Sequence, residues 1–172
     1  MFFSSMRRHT HCSDMVSIAG AIFALLAVFL ALEKFFLHAT VFIIVSLAMD
    51  TMDGKFARAM KRKGDYGVIL DLLCDVVLYL MAIVIFGYSV GLNSVAAIMI
   101  YILFVITGVM RLARSGVIKI VDSYEGLPVT YTIAIPIAYF VLEYCGLPLD
   151  WLLWLYLIPS FLMIASFKIR KI

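Results

Sequence analysis

MDTMDGKFARAMKRKGDYGVILDLLCD, residues 49–75, is the stretch that decides how this chain is read. Asp50, Asp53, Asp71 and Asp75 sit in otherwise apolar surroundings, separated by a basic hinge of Arg58, Lys61, Arg62 and Lys63. Carboxylates inside apolar helices are costly and usually functional. Asp50 and Asp53 are three residues apart, and Asp71 and Asp75 four apart, so each pair shares a face of a helix. A short hinge makes the two helices antiparallel neighbours, with their acidic faces turned toward each other. From the rise of ~1.5 Å per residue, Asp50 lies roughly 12 Å from Arg58 and Asp75 roughly 13 Å from Tyr66, so the pairs meet at matching depth.

The surroundings of this stretch are those of a membrane protein. Of 172 residues 65% are hydrophobic and only 15% charged, well below the roughly 25% charged residues of soluble domains, and the mean hydropathy is +1.10. Six apolar segments, at about 15–33, 36–58, 66–88, 93–114, 127–145 and 149–167, approach the ~20 residues that cross a bilayer as a helix. Gly64, Gly91–Asn93 and Gly146–Pro148 supply breaks. Pro136 and Pro159 fall inside the last two segments, where membrane helices accommodate kinks.

The expected fold is therefore an all-α integral membrane domain spanning 1–172, with six transmembrane helices. Residues 1–12, with Phe2, Phe3, Arg7, Arg8, His9 and His11, read as a short interfacial arm. The first apolar run is expected to be retained as a helix, because no small-x-small cleavage site follows it. With both termini cytoplasmic, Lys34 is the only one of 14 basic residues on the outer side, as the positive-inside rule requires. The carboxylates then open toward the cytoplasm from the cell membrane. Cys12, Cys74 and Cys145 have neither disulfide nor metal-site spacing.

Four carboxylates converging in low dielectric stay ionised only if cations neutralise them. No Cys or His is expected on the acidic face, and hard cations such as Mg²⁺ or Mn²⁺ prefer oxygen ligands. Two such ions about 3.5–4 Å apart would orient a pyrophosphate. Gly54 and Ala57 leave room for a ligand, and Arg58 adds a charge for a phosphate; the alternative for the small residues is helix packing. A transporter could also carry intramembrane aspartates, but would place them at the midplane of broken, repeated helices, and no internal repeat is present. No nucleic-acid partner is expected.

Asp50, Asp53, Gly54, Ala57, Arg58, Gly67, Asp71 and Asp75 form the pattern D-x-x-D-G-x-x-A-R, eight residues, G, three residues, D, three residues, D. This resembles the signature of the CDP-alcohol phosphatidyltransferases, which move a phosphatidyl group from a CDP-linked lipid to a hydroxyl and release CMP. The resemblance implies that Asp50, Asp53, Asp71 and Asp75 hold two Mg²⁺ or Mn²⁺ ions, and that Asp75 is also the general base. It implies a CDP-diacylglycerol site lined by Gly54, Ala57, Arg58, Gly64 and Gly67, and a homodimer. Relatives often have Ser or Thr where Gly64 stands. Asp14 and Ser17, just before the first helix, match a nucleotide-side Asn/Asp-x-x-Thr of relatives; ordinary N-capping is the alternative.

Arg111-Leu-Ala-Arg114 and Gly126-Leu-Pro128 resemble two elements of phosphatidylserine synthases within the family. Arg111 and Arg114 share one helix face and suit a carboxylate or a phosphate of the acceptor; boundary anchoring is the alternative. The small Ser-Phe-Gly type run that such synthases place after the last aspartate is here Val76-Val-Leu-Tyr-Leu80. L-Serine is the leading acceptor, with inositol phosphate and glycerol phosphate the alternatives.

Overall fold

The computed structural model describes residues 12–59, 65–117, 124–125, 128–164 and 168–169, with side chains over 15–52, 67–115 and 128–164. Helix α1 (Cys12–Leu32) and α2 (Phe36–Ala59) come first. Helix α3 (Asp65–Asp75) runs without a break through a π-helical turn (Val76–Met81) into α4 (Ala82–Ser89), followed by α5 (Val95–Val117). A 3₁₀ turn at Val129–Ile133 leads into α6 (Ala134–Tyr144), and another at Leu149–Trp151 into α7 (Leu152–Ile164). Tyr124–Glu125 and Lys168–Ile169 pair antiparallel, bringing the segment before α6 alongside the chain after α7.

Local chemistry sets the breaks. Between α1 and α2 the Phe35 N–H reaches the Leu30 carbonyl at 2.9 Å, with Lys34 at φ 62°. This is the left-handed helix ending normally given to glycine. Gly146, at φ 65°, ends α6 in the same way, with the Leu147 N–H on the Leu142 carbonyl at 2.9 Å. Ser94 caps α5 by accepting the Ala97 N–H at 3.2 Å.

The expected helices are all found to within a few residues, but the sixth begins as the 3₁₀ turn Leu149–Trp151, and the fifth and third also differ. The fifth begins as a 3₁₀ turn, so Pro136 falls in the first turn of α6; tighter winding before the ring adapts the chain to its missing N–H. The third changes to π geometry immediately after Asp75. Met15–Leu32, Gly67–Ser89 and Val95–Ser115 are long and apolar enough to cross a membrane, while Phe36–Met52, Val129–Tyr144 and Leu149–Ile164 are shorter apolar helices. Phe29, Leu37, Met99, Ile106, Trp154 and Phe161 are exposed on the outside, an apolar surface that suits lipid rather than water.

The bundle interior is aromatic at one end. Phe36, Phe86 and Tyr139 meet in a mutual edge-to-face triad with centroids 5.4–5.7 Å apart. Tyr156 stands edge-on to Tyr101 and Phe104, and its hydroxyl donates to the Ile83 carbonyl at 2.7 Å. Such pairs are worth about 0.5–1.5 kcal/mol beyond the area they bury. Gly87 is required here, since a β-carbon would run into the Tyr156 hydroxyl and lie 2.8 Å from that of Tyr101. The π turn is the hub, touching α1, α2, α5 and the Val129–Ile133 turn.

Candidate metal and nucleotide site

Chain direction carries the polar residues to the other end. Ser17 lies early on α1, Asp50 in the second half of α2 and Asp71 on α3 before the π turn, and the antiparallel path gathers them. Asp50, Asp71 and Asp75 each offer a carboxylate oxygen, and the three oxygens lie within 4.8 Å of one another. All three residues are half-buried. The i, i+4 spacing of Asp71 and Asp75 stacks them on one face of α3, and α2 supplies Asp50 from across the interface.

A small cleft, partly open to solvent, adjoins this cluster. Ser17, Gly20 and Ala21 line it from α1, Ser46 and Asp50 from α2, Cys74 and Asp75 from α3, and Leu78 from the π turn. Ser46 donates from Oγ to the Gly20 carbonyl at 2.6 Å, a buried tie between α1 and α2. Asp50 Oδ2 accepts the Tyr79 hydroxyl at 2.6 Å. The Tyr79 carbonyl in turn accepts the Thr132 hydroxyl at 3.2 Å.

Three half-buried carboxylates this close repel one another, and a cation or shared protons must relieve them. A donor set of three carboxylate oxygens fits a hard divalent cation. The expectation that no Cys shares this face needs correction, because Cys74 follows Leu73 round the helix into the cleft wall. Its sulfur is not part of the clustered donor set.

The other expected site residues divide into three groups. Asp14 and Ser17 were expected just before the first helix, but α1 already begins at Cys12, so both lie within it and neither is its N-cap; Ser17 is buried in the cleft wall, and Gly67 lies on α3 a turn before Asp71. Asp53, Gly54, Ala57 and Arg58 lie on the last turns of α2 and Asp14 on the first turn of α1, but their side chains, and Gly64 altogether, fall outside the described residues. So do residues 1–11, the expected interfacial arm. Arg111 and Arg114 stand in the last turns of α5 and do not line the cleft. Arg111 is only 7% exposed, which argues against an arginine stretched out to headgroups, since buried guanidinium groups are retained where partners hold them.

Tyr79, Ser46 and Cys74 were not expected at the site. A signal for two of them existed. Tyr79 follows Asp71 and Asp75 at i+8 and i+4, and Ser46 precedes Asp50 by four, so both continue acidic faces already identified.

The family model described as CDP-alcohol phosphatidyltransferase matches residues 10–167. The chain belongs to that family. It is similar to the CDP-diacylglycerol–serine O-phosphatidyltransferase of Saccharomyces cerevisiae, at 27% identity over 158 aligned positions covering 82% of this chain and 56% of the relative. It is also similar to the protein of the same description in Methanocaldococcus jannaschii, at 34% over 125 positions, 73% of this chain and 58% of the relative. A third, from Helicobacter pylori, is 31% identical over 120 positions, 64% of this chain and 49% of the relative. The chain thus spans about half the length of the curated relatives it matches.

Proposed function

We propose that the protein transfers the phosphatidyl group of CDP-diacylglycerol to the hydroxyl of L-serine and releases CMP. The observation that carries this reading is the convergence of Asp50, Asp71 and Asp75 beside an open cleft in an apolar helical bundle. The serine acceptor is supported by the description of the relatives as serine O-phosphatidyltransferases.

Asp50, Asp71 and Asp75, joined by Asp53 on the resemblance, would hold two Mg²⁺ or Mn²⁺ ions. Bound there, the ions would supply positive charge to the diphosphate and to the attacking and leaving oxygens. Asp75 serves as general base and takes the proton of the acceptor hydroxyl. The acceptor oxygen then bonds to the phosphatidyl phosphorus. The bond from that phosphorus to the bridging diphosphate oxygen breaks, and CMP departs with the oxygen. Asp14, Ser17, Gly54, Ala57, Arg58, Gly64 and Gly67 are assigned to the CDP-lipid, and Arg111 and Arg114 to the acceptor carboxylate.

In the bilayer, the six apolar helical stretches form six spans over a single domain of 1–172, with both termini and the carboxylates on the cytoplasmic side of the cell membrane. Charge distribution supports this orientation, and the family resemblance supports a homodimer. Family membership leaves the transporter reading without support.

The test is CMP release from CDP-diacylglycerol by purified protein with Mg²⁺ or Mn²⁺, offering serine, inositol phosphate, glycerol 3-phosphate and inositol in turn. Serine is expected to give CMP and phosphatidylserine, and EDTA to stop both. CMP with another acceptor alone would reassign the substrate; none with any acceptor would overturn the transferase reading.

A further inference from the structure

Tyr79 has a placement that packing alone does not require. Its side chain is 1% exposed, yet its hydroxyl reaches Asp50 Oδ2 at 2.6 Å across the α2 interface. A hydroxyl donated to a carboxylate at that distance is a short, charge-assisted bond. The backbone beneath it is specialised. Tyr79 lies within the π turn Val76–Met81, a wider winding frequently found at functional sites. π geometry disturbs the ordinary carbonyl pairing, and Thr132 reaches in from the turn before α6 to donate to the Tyr79 carbonyl. The residue is therefore held at both ends, by its carbonyl and by its phenol.

Asp50 also belongs to the carboxylate cluster with Asp71 and Asp75. A carboxylate can rotate about its last bond and offer a cation either oxygen, or both. A donor fixed on Oδ2 removes that freedom and sets the plane of the group.

We propose that Tyr79 is a positioning residue for divalent-cation binding, acting through Asp50 by locking the orientation of its carboxylate. The role rests on reading the three aspartates as a cation site. It makes the helix face continuous in purpose: Asp71 and Asp75 offer oxygens from α3, and Tyr79, one turn further, orients the oxygen that α2 contributes. Thr132 extends the arrangement to α6, so that the phenol, its π turn and the carboxylate form one braced unit.

Purified protein in detergent, titrated with Mn²⁺ and followed by electron paramagnetic resonance, tests it. Removing the partner of a metal-binding group generally costs 10–100-fold in affinity, so Tyr79→Phe is expected to weaken Mn²⁺ binding about tenfold. The melting temperature in EDTA should move little, because the ring still fills its place. In turnover assays the loss should shrink at saturating Mn²⁺, which a general loosening of the fold would not produce. 4-Aminophenylalanine at position 79 restores a donor and is expected to recover most of the affinity. Should Tyr79→Phe not fold, 4-methylphenylalanine against 4-aminophenylalanine gives the same comparison in a filled cavity. Wild-type protein that binds no Mn²⁺ would overturn the cation site and this role with it. Wild-type binding matched by the donor-less variants would overturn the role of Tyr79 alone.

Discussion

At one end of the bundle, α1, α2 and α3 turn Ser17, Ser46, Asp50, Asp71 and Asp75 toward one another around a cleft, and the carboxylates remain half-buried. At the other, Phe36, Phe86 and Tyr139 interlock, as do Tyr101, Phe104 and Tyr156. The first arrangement leaves like charges close together, which folding alone would not favour. The second satisfies its hydroxyls internally, Tyr156 on Ile83 and Tyr101 on Leu92, and buries its rings. Chemistry is thus gathered at the cleft, while the aromatic end is given over to packing. Tyr79 joins the two, buried like the aromatic residues but bonded to the acidic cluster.

The sharpest way to break this comparison is a change that separates activity from stability. Asp75→Asn should lower turnover by about 10²–10⁴-fold, the range for removing a positioned general base. The melting temperature of the metal-free protein should stay the same or rise, because one of the repelling charges is gone. A variant that kept wild-type turnover would show that Asp75 is not the base. One that melted much earlier would show that the open end carries more of the fold than its packing suggests.

Gly87→Ala asks the converse. Its methyl would displace the Tyr156 hydroxyl and crowd that of Tyr101, and overpacking of this sort costs about 1–3 kcal/mol. Earlier thermal unfolding is expected, with CMP release per folded molecule preserved. Loss of turnover in protein that remains folded would mean that the aromatic end transmits its geometry to the carboxylates.

The two ends were also unequally legible in the sequence. Asp50, Asp71 and Asp75 stood out because charge in an apolar run has few structural uses, and because helical spacing fixes which face a residue occupies. Ser17 followed only from the family resemblance, which matched it with Asp14 to a nucleotide-side pair. Tyr79 did not, although it lies at i+4 from Asp75. Its partner is 29 residues away on another helix, and an aromatic side chain in an apolar helix is ordinarily packing. Val76–Leu80 registered only as a departure from the small run of phosphatidylserine synthases, while the π turn that contains it packs against α1, α2 and α5 and meets Thr132, all distant in sequence. The burial of Arg111 was hidden for a similar reason. Spacing put it with Arg114 on one face, as an acceptor contact or a boundary anchor, but its enclosure depends on neighbouring helices. The aromatic end could be assigned to a core by composition, but the Gly87 contact with Tyr156 joins residues on α4 and α7, which no local pattern reports.

Ser46→Ala sits between the two ends in effect. It removes the Oγ bond to the Gly20 carbonyl, and hydrogen bonds between membrane helices average about 0.6 kcal/mol. A correspondingly small fall in stability is expected. Because Ser46 lines the cleft beside Asp50, KM for CDP-diacylglycerol should rise while kcat changes less. Equal losses in both would place Ser46 with the reacting groups rather than with the wall.

The smallest expected effect lies beyond the aromatic end, at Lys34. Its φ of 62° puts an L-residue with a β-carbon in the left-handed region, at a cost of about 1–2 kcal/mol. The equivalent position after α6 is Gly146, which occupies φ 65° without that cost. Lys34→Gly removes the strain but gives the unfolded chain more freedom, which takes back roughly 0.5–1 kcal/mol. A net gain of about 0.5 kcal/mol is expected, read as slightly later melting. Turnover and Mn²⁺ affinity should be unchanged, since Lys34 stands at the far end of α1 from Ser17 and the cleft. Any shift in either would mean that the α1–α2 turn sets the spacing of the two helices all the way to Asp50, and the ends could no longer be treated as separate.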